Sequence, residues 1–132
     1  MDCYNLPKPK TGNGVVYFKI LMRTNQQVTP CITAYRFKDK DGNVLLNSKG
    51  VASENPTKGD GTWEEVIVKV TGVPEGTAYF EQIHLMPGGN VKGSSFFEGG
   101  KLKDNAYFDV AAWAVFENLA SAQAYDLKAV AK

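Results

Sequence analysis

Residues 15–24 read VVYFKILMRT, a run of β-branched, aromatic and long apolar side chains without glycine or proline. Such composition favours a β-strand, in which successive side chains point to opposite faces. The even positions are Val16, Phe18, Ile20 and Met22, all apolar; the odd positions are Val15, Tyr17, Lys19, Leu21 and Arg23, a mixture. One side is built for a core and the other is not. The same division recurs from Trp63 to Thr71, where Glu64, Val66, Val68 and Val70 oppose Trp63, Glu65, Ile67 and Lys69. It recurs again from Asn105 to Phe116, where Phe108, Val110, Ala112, Ala114 and Phe116 oppose Tyr107, Asp109, Ala111, Trp113 and Val115. Period-two geometry therefore predicts three strands with a clean core face and a mixed second face.

Working outward, Val28–Lys38 reads as a strand whose core face is open between Cys31, Tyr35 and Phe37 and the alternative Ile32 and Ala34. It ends in the turn signal Asp39-Lys40-Asp41-Gly42-Asn43, with Val44–Leu46 as the return strand. Thr77–Met86 is another strand, and a bulge near Glu81-Gln82 reconciles its two competing apolar phases. Residues 1–14 (with Pro7 and Pro9), 47–61 and 87–105 read as irregular segments, the last holding the apolar pair Phe96-Phe97. Asn118–Lys132 lacks Gly and Pro and reads as a helix capped by Asn118, with Leu119, Ala122, Leu127 and Val130 as a docking stripe. The sum is an all-β protein, one domain over residues 1–132. It is an antiparallel β-sandwich or jelly roll with a short C-terminal helix.

Composition narrows the function. Apolar types make up 43% and charged types 22% of 132 residues, and fifteen basic against fourteen acidic side chains leave a net charge of +1. No field for nucleic acid or anionic membrane is built in, and no run approaches the roughly 20 apolar residues of a membrane helix. Two cysteines, Cys3 and Cys31, and one histidine, His84, are too few for a structural zinc site. The cysteines fit one disulfide or two buried thiols equally well. No nucleophile motif accompanies His84, so the expectation is a non-enzyme; a glycosidase would need Glu81 and Asp109 paired across a cleft. Asp39 and Asp41 beside Gly42 lack the further ligands of a calcium loop and read as a hairpin turn.

Aromatic rings flanked by hydrogen-bonding groups on an open sheet face suit a sugar, which offers apolar C–H patches and a rim of hydroxyls. Trp113, Trp63 and Tyr17 are the candidate platforms, and Lys19, Arg23, Glu81, Gln82 and His84 the candidate polar contacts. The competing reading is structural, with these rings beneath a loop or the terminal helix.

The order Gly61–Val66, Val73–Tyr79, Gly93–Phe97 and Tyr107–Val110 resembles the C-terminal half of jelly-roll carbohydrate-binding modules. There a Trp opens one strand, a proline turn introduces the next and a Tyr-Phe-Asp strand closes the sandwich. Trp113–Ala122 is similar to closing segments of β-sandwich domains in large surface proteins of gut Firmicutes. The resemblance implies a non-catalytic module, extracellular or at the cell surface, that holds a partner enzyme (its parent multidomain enzyme) or a cell surface onto an oligosaccharide or polysaccharide. A sheet edge left open by the missing first strands would be covered by another copy, in a homo-oligomer, or by a neighbouring domain. The resemblance also implies a structural calcium held by Asp109, although the further ligand segment of those modules has no counterpart here. The alternative is a structural or adhesive sandwich, a cell-surface spacer or a virion decoration protein, that binds protein. The visible N-terminus, Met1-Asp2-Cys3-Tyr4, reads as no export signal.

Overall fold

A computed structural model describes residues 2–10, 14–47, 50–82, 84–90, 97–98, 101–102 and 105–130. The strands are β1 (Asp2–Lys10), β2 (Gly14–Thr24), β3 (Val28–Thr33), β4 (Arg36–Lys38), β5 (Val44–Asn47), β6 (Gly50–Ala52), β7 (Glu64–Val73), β8 (Thr77–Gln82), β9 (His84–Asn90), β10 (Phe97–Glu98), β11 (Lys101–Leu102) and β12 (Phe108–Phe116). Two short helices follow, α1 (Leu119–Ala124) and α2 (Leu127–Val130). All described strand pairs are antiparallel.

The three long strands read from alternation form one sheet in the order β12-β2-β7. Two more sheets, β1-β8-β4-β5 and β6-β3-β9, are successive halves of one bent layer, because β3 runs into β4, β5 into β6 and β8 into β9. Val16, Phe18, Ile20, Met22, Val66, Val68 and Val70 meet Ile32, Tyr35, Phe37 and Phe80 from the bent layer in one core. At its centre Phe80 lies 5.9 Å from Phe18, 5.7 Å from Phe37 and 5.6 Å from Tyr35, ring centre to ring centre. These separations fall within the range of favourable tilted aromatic pairs.

Two backbone irregularities decide which residues reach that core. Ala34 has φ +54°, the left-handed region that a non-glycine residue adopts at a cost. The kink inverts the phase between β3 and β4, so Ile32 is buried before it and Tyr35 and Phe37 after it. Neither of the two expected faces is right over the whole run; each holds for one half. In β12 the register passes from Val110↔Met22 to Ala112↔Leu21, leaving Ala111 as an extra, bulged residue. Beyond it Trp113 pairs with Ile20 and Val115 with Phe18, on the core side, while Ala114 and Phe116 turn to the second face opposite Lys19 and Tyr17. The expected uniform parity of this strand is thereby corrected.

Other expectations change at the margins. The lead-in is strand β1, hydrogen-bonded to β8 with an irregularity between Asn5 and Lys10; an edge position tolerates its two prolines. The 47–61 segment contains β6, β9 reaches Asn90, and Phe97 opens the small β10–β11 ladder, while Phe96 lies outside the described residues. The expected bulge near Glu81-Gln82 coincides with the break between β8 and β9; residue 83 there is outside the described residues. The tail helix is capped by Asn118, whose side chain accepts from the Ser121 N–H, but it is split at Tyr125, whose backbone is extended. Among the described residues no helix is long and apolar enough to cross a membrane.

Candidate functional site

The second face of the β12-β2-β7 sheet divides into three regions. In its middle Lys19 is 2% exposed, and its Nζ donates to the carbonyls of Ala122, at 2.5 Å, and of Tyr125. The same ammonium lies 3.0 Å from a Glu65 carboxylate oxygen, which also accepts from the Leu127 N–H at 3.0 Å. This pair explains the split helix. The Ala122 carbonyl and the Leu127 amide would serve the next turn of a continuous helix, and Lys19 and Glu65 take them instead. Ala122, Leu127 and Leu21 are buried there, and Tyr125 packs on Phe116 at 5.3 Å. Leu119 of the expected docking stripe stays exposed, and the Val130 side chain lies outside the described residues. Lys19 is therefore a buried anchor of the tail, correcting its expected role as a contact to ligand.

At one end of the face Arg23, Trp63, Tyr107 and Asp109 come together from three strands and their approaches. The Arg23 guanidinium carbon sits 4.8 Å from the Trp63 ring centre and 6.0 Å from that of Tyr107, within and at the limit of cation–π range. Its Nε donates to Asp109 Oδ2 at 2.9 Å. Trp63 and Tyr107 each remain 37% exposed. Gly61 lies below: a Cβ there would stand 2.7 Å from the Tyr107 hydroxyl, at φ +85°. The arrangement does not fit a calcium on Asp109. Its carboxylate already faces a guanidinium, and no group of three or more His, Cys, Asp or Glu side chains suited to a metal gathers among the described residues.

Along β7, from Glu64 to Lys69, a groove of about 390 Å³ opens. Tyr17, Ile67 and Lys69 form its floor, and Leu119 and Gln123 of α1 form one wall. Glu54, Asn55 and Pro56 form the other, on a segment tied to the bent layer by Ser53 N–H to the Pro30 carbonyl and Thr57 N–H to the Val28 carbonyl, both 2.8 Å. Glu64 also borders the groove, its two carboxylate oxygens accepting from the Lys58 N–H at 3.0 and 3.1 Å. Glu65 closes the groove towards the Lys19 anchor. Of the expected ligand residues only Tyr17 lies here. Glu54, Asn55, Pro56 and Gln123 were not singled out from sequence, and no local pattern marks them; Leu119 was read only as part of the docking stripe, not as a ligand contact.

The remaining candidates scatter. Trp113 is 37% exposed at the sheet edge but on the core side of it, so it does not share a platform with Tyr17 or Trp63. His84 is exposed on β9, paired with Thr33 in the bent layer. The side chain of Gln82 lies outside the described residues. Glu81 is buried on β8 between Arg36, at 3.2 Å, and Lys38, at 2.9 Å. It and Asp109 belong to different sheets, each joined to its own cations, which is not the facing carboxylate pair a glycosidase uses. Cys31 is a half-buried free thiol whose Sγ lies 3.6 Å from the Ile32 carbonyl; burial pushes its pKa up. The Cys3 side chain is outside the described residues.

No family model, curated protein or solved structure matches this chain.

Proposed function

We propose that this chain is a non-catalytic carbohydrate-binding module, acting outside the cell or at its surface, that takes an oligosaccharide or one segment of a polysaccharide in the groove over Tyr17. The observation that carries the reading is the groove's composition: an aromatic ring in its floor, ringed by the flat amides of Asn55 and Gln123 and the charged ends of Glu54 and Lys69. Its volume falls within the range of small-ligand sites. The amides and the Lys69 ammonium donate to hydroxyls, the amides and the Glu54 carboxylate accept from them, and Tyr17, Pro56 and Leu119 meet the apolar faces of a pyranose. The exposed Trp63–Arg23–Tyr107 stack on the same face is a second aromatic surface.

The test is isothermal titration and affinity electrophoresis against a panel of soluble plant and bacterial glycans. At least one glycan binds, and Tyr17→Ala weakens it about tenfold, the loss of roughly 1.4 kcal/mol of ring contact. Trp113→Ala leaves affinity unchanged. No binding across the panel, or full binding by Tyr17→Ala, overturns the reading.

One observation favours the second reading, a structural or adhesive module that binds protein. Val44, Leu45 and Leu46 are 46%, 40% and 42% exposed on β5, the outermost strand of its four-stranded sheet. Three adjacent aliphatic residues on an edge strand form a template for another chain. Under this reading light scattering gives a defined oligomer that Leu45→Lys dissolves, with no glycan bound.

A further inference from the structure

The groove's inner wall is carried by a segment that cannot hold itself in place. Helix α1 has six residues, far below the roughly 12–15 at which an isolated helix becomes marginally stable in water. Its only buried residue is Ala122. Yet its Leu119 and Gln123 form one side of the groove. What fixes α1 and α2 on the sheet is largely polar: the Lys19 ammonium on the Ala122 and Tyr125 carbonyls, and the Glu65 carboxylate on both Lys19 and the Leu127 amide. Leu127 and the Phe116–Tyr125 contact supply the apolar remainder.

We propose that Lys19 and Glu65 form a latch that holds the C-terminal helices as a releasable wall of the glycan groove. Lys19 is a positioning residue that touches no ligand, Glu65 both holds the latch and borders the groove, and the groove exists in binding form only while the latch is closed. This rests on the glycan reading of the groove. Binding and latching are then linked, because a ligand that touches Leu119 and Gln123 favours the closed tail over the open one. A glycan in the groove must slow the opening of the tail, and loosening the latch must lower affinity for the glycan.

The experiment uses the full chain, with hydrogen exchange read by mass spectrometry and affinity by titration. The probes are cellohexaose, xylohexaose and mannohexaose, each assayed separately. In the wild-type chain, the hexasaccharide that binds slows exchange in residues 119–129. In Lys19→Met, exchange of that segment rises at least tenfold while β2 and β7 stay protected, and affinity falls about tenfold. Glu65→Gln, which keeps the side chain's size and its acceptor for the Leu127 amide, raises tail exchange by less; because Glu65 also borders the groove it is read by exchange alone, and in that role it serves if Lys19→Met does not fold. Unchanged tail exchange in both variants overturns the latch. A released tail with undiminished affinity overturns its role in the groove and leaves the glycan reading standing. Failure of wild-type binding to every hexasaccharide and to the wider glycan panel overturns the glycan reading and the groove role together, and exchange alone then judges the latch.

Discussion

Replacing Ala34 with glycine is expected to stabilise the protein, an unusual outcome for a substitution in a β-protein. Ala34 sits at φ +54°, between Ile32, which points into the core from β3, and Tyr35 and Phe37, which point into it from β4. A left-handed backbone costs an L-residue roughly 1–2 kcal/mol, and glycine removes that penalty. Glycine also loses more freedom on folding, which gives back roughly 0.5–1 kcal/mol relative to alanine. With the middle of each range, Ala34→Gly gains about 0.8 kcal/mol. An unfolding entropy of about 2.1 cal/mol/K per residue converts this to a rise in Tm of about 3 °C for a chain of 132 residues. Ala34→Val moves the other way by at least 1 kcal/mol, because a β-branched side chain tolerates this region worst. Differential scanning calorimetry with urea titration measures both. A glycine variant less stable than wild type, or a valine variant as stable as alanine, would refute the idea that a strained kink re-phases this strand.

The remaining predictions concern the turns and the thiol. Gly59→Ala is expected to cost about 2–3 kcal/mol, since a Cβ would stand 2.6 Å and 2.7 Å from backbone atoms of Gln26 and Gln27 at φ +72°; Gly42→Ala, strained at φ +85° but with open space around it, costs about 1 kcal/mol, and urea midpoints separate the two. Asp39 is held below the ordinary Asp value of 3.8, foremost by the Asn43 N–H and also by the Asn43 amide and the Asp41 N–H. Its folded pKa is depressed, so its contribution is complete above 3.8 and is lost as pH falls through the lower folded value; urea midpoints from pH 5 to pH 2 fall less steeply in Asp39→Asn than in wild type. Burial raises the Cys31 pKa, so in a Cys3→Ser background Cys31 reacts with a disulfide reagent at pH 7.5 more slowly than glutathione does; an equal rate contradicts the partly buried thiol.

The parts of the fold that sequence exposes are those where one rule holds over a whole element. From Val16 to Met22 and from Val66 to Val70, every second residue is apolar and buried, so alternation alone assigns the core. Alternation fails where the backbone leaves the ideal pleat. Ala34 and Ala111 are two such points among the described residues, and both are alanines. Glycine would have advertised a left-handed turn or a bulge, whereas alanine is neutral in composition and hides the phase change. The prolines of residues 1–10 misdirected for a related reason. They exclude a central strand but not an edge, and only the partner β8 says which applies.

The site was less accessible still, because its geometry is set by residues far apart in the chain. Tyr17 was singled out for its aromatic ring on a mixed face, and it does border a groove; the walls come from residues 54–56 and 119–123, whose own segments carry no sign of each other. Lys19 looked like a solvated contact by the same alternation that found Tyr17. Its burial depends on a tail more than a hundred residues downstream whose carbonyls need a donor. One ion pair thus has two consequences: it takes Lys19 out of the open face while Glu65 stays exposed beside the groove, and it divides a helix that local composition would have left continuous. The tail cannot then be read as a passive cover. An unbroken amphipathic helix would have closed the face with its apolar stripe, Leu119 included. Two short helices follow the sheet instead, and Leu119, at the start of the first, stays exposed at the rim of the groove above Tyr17.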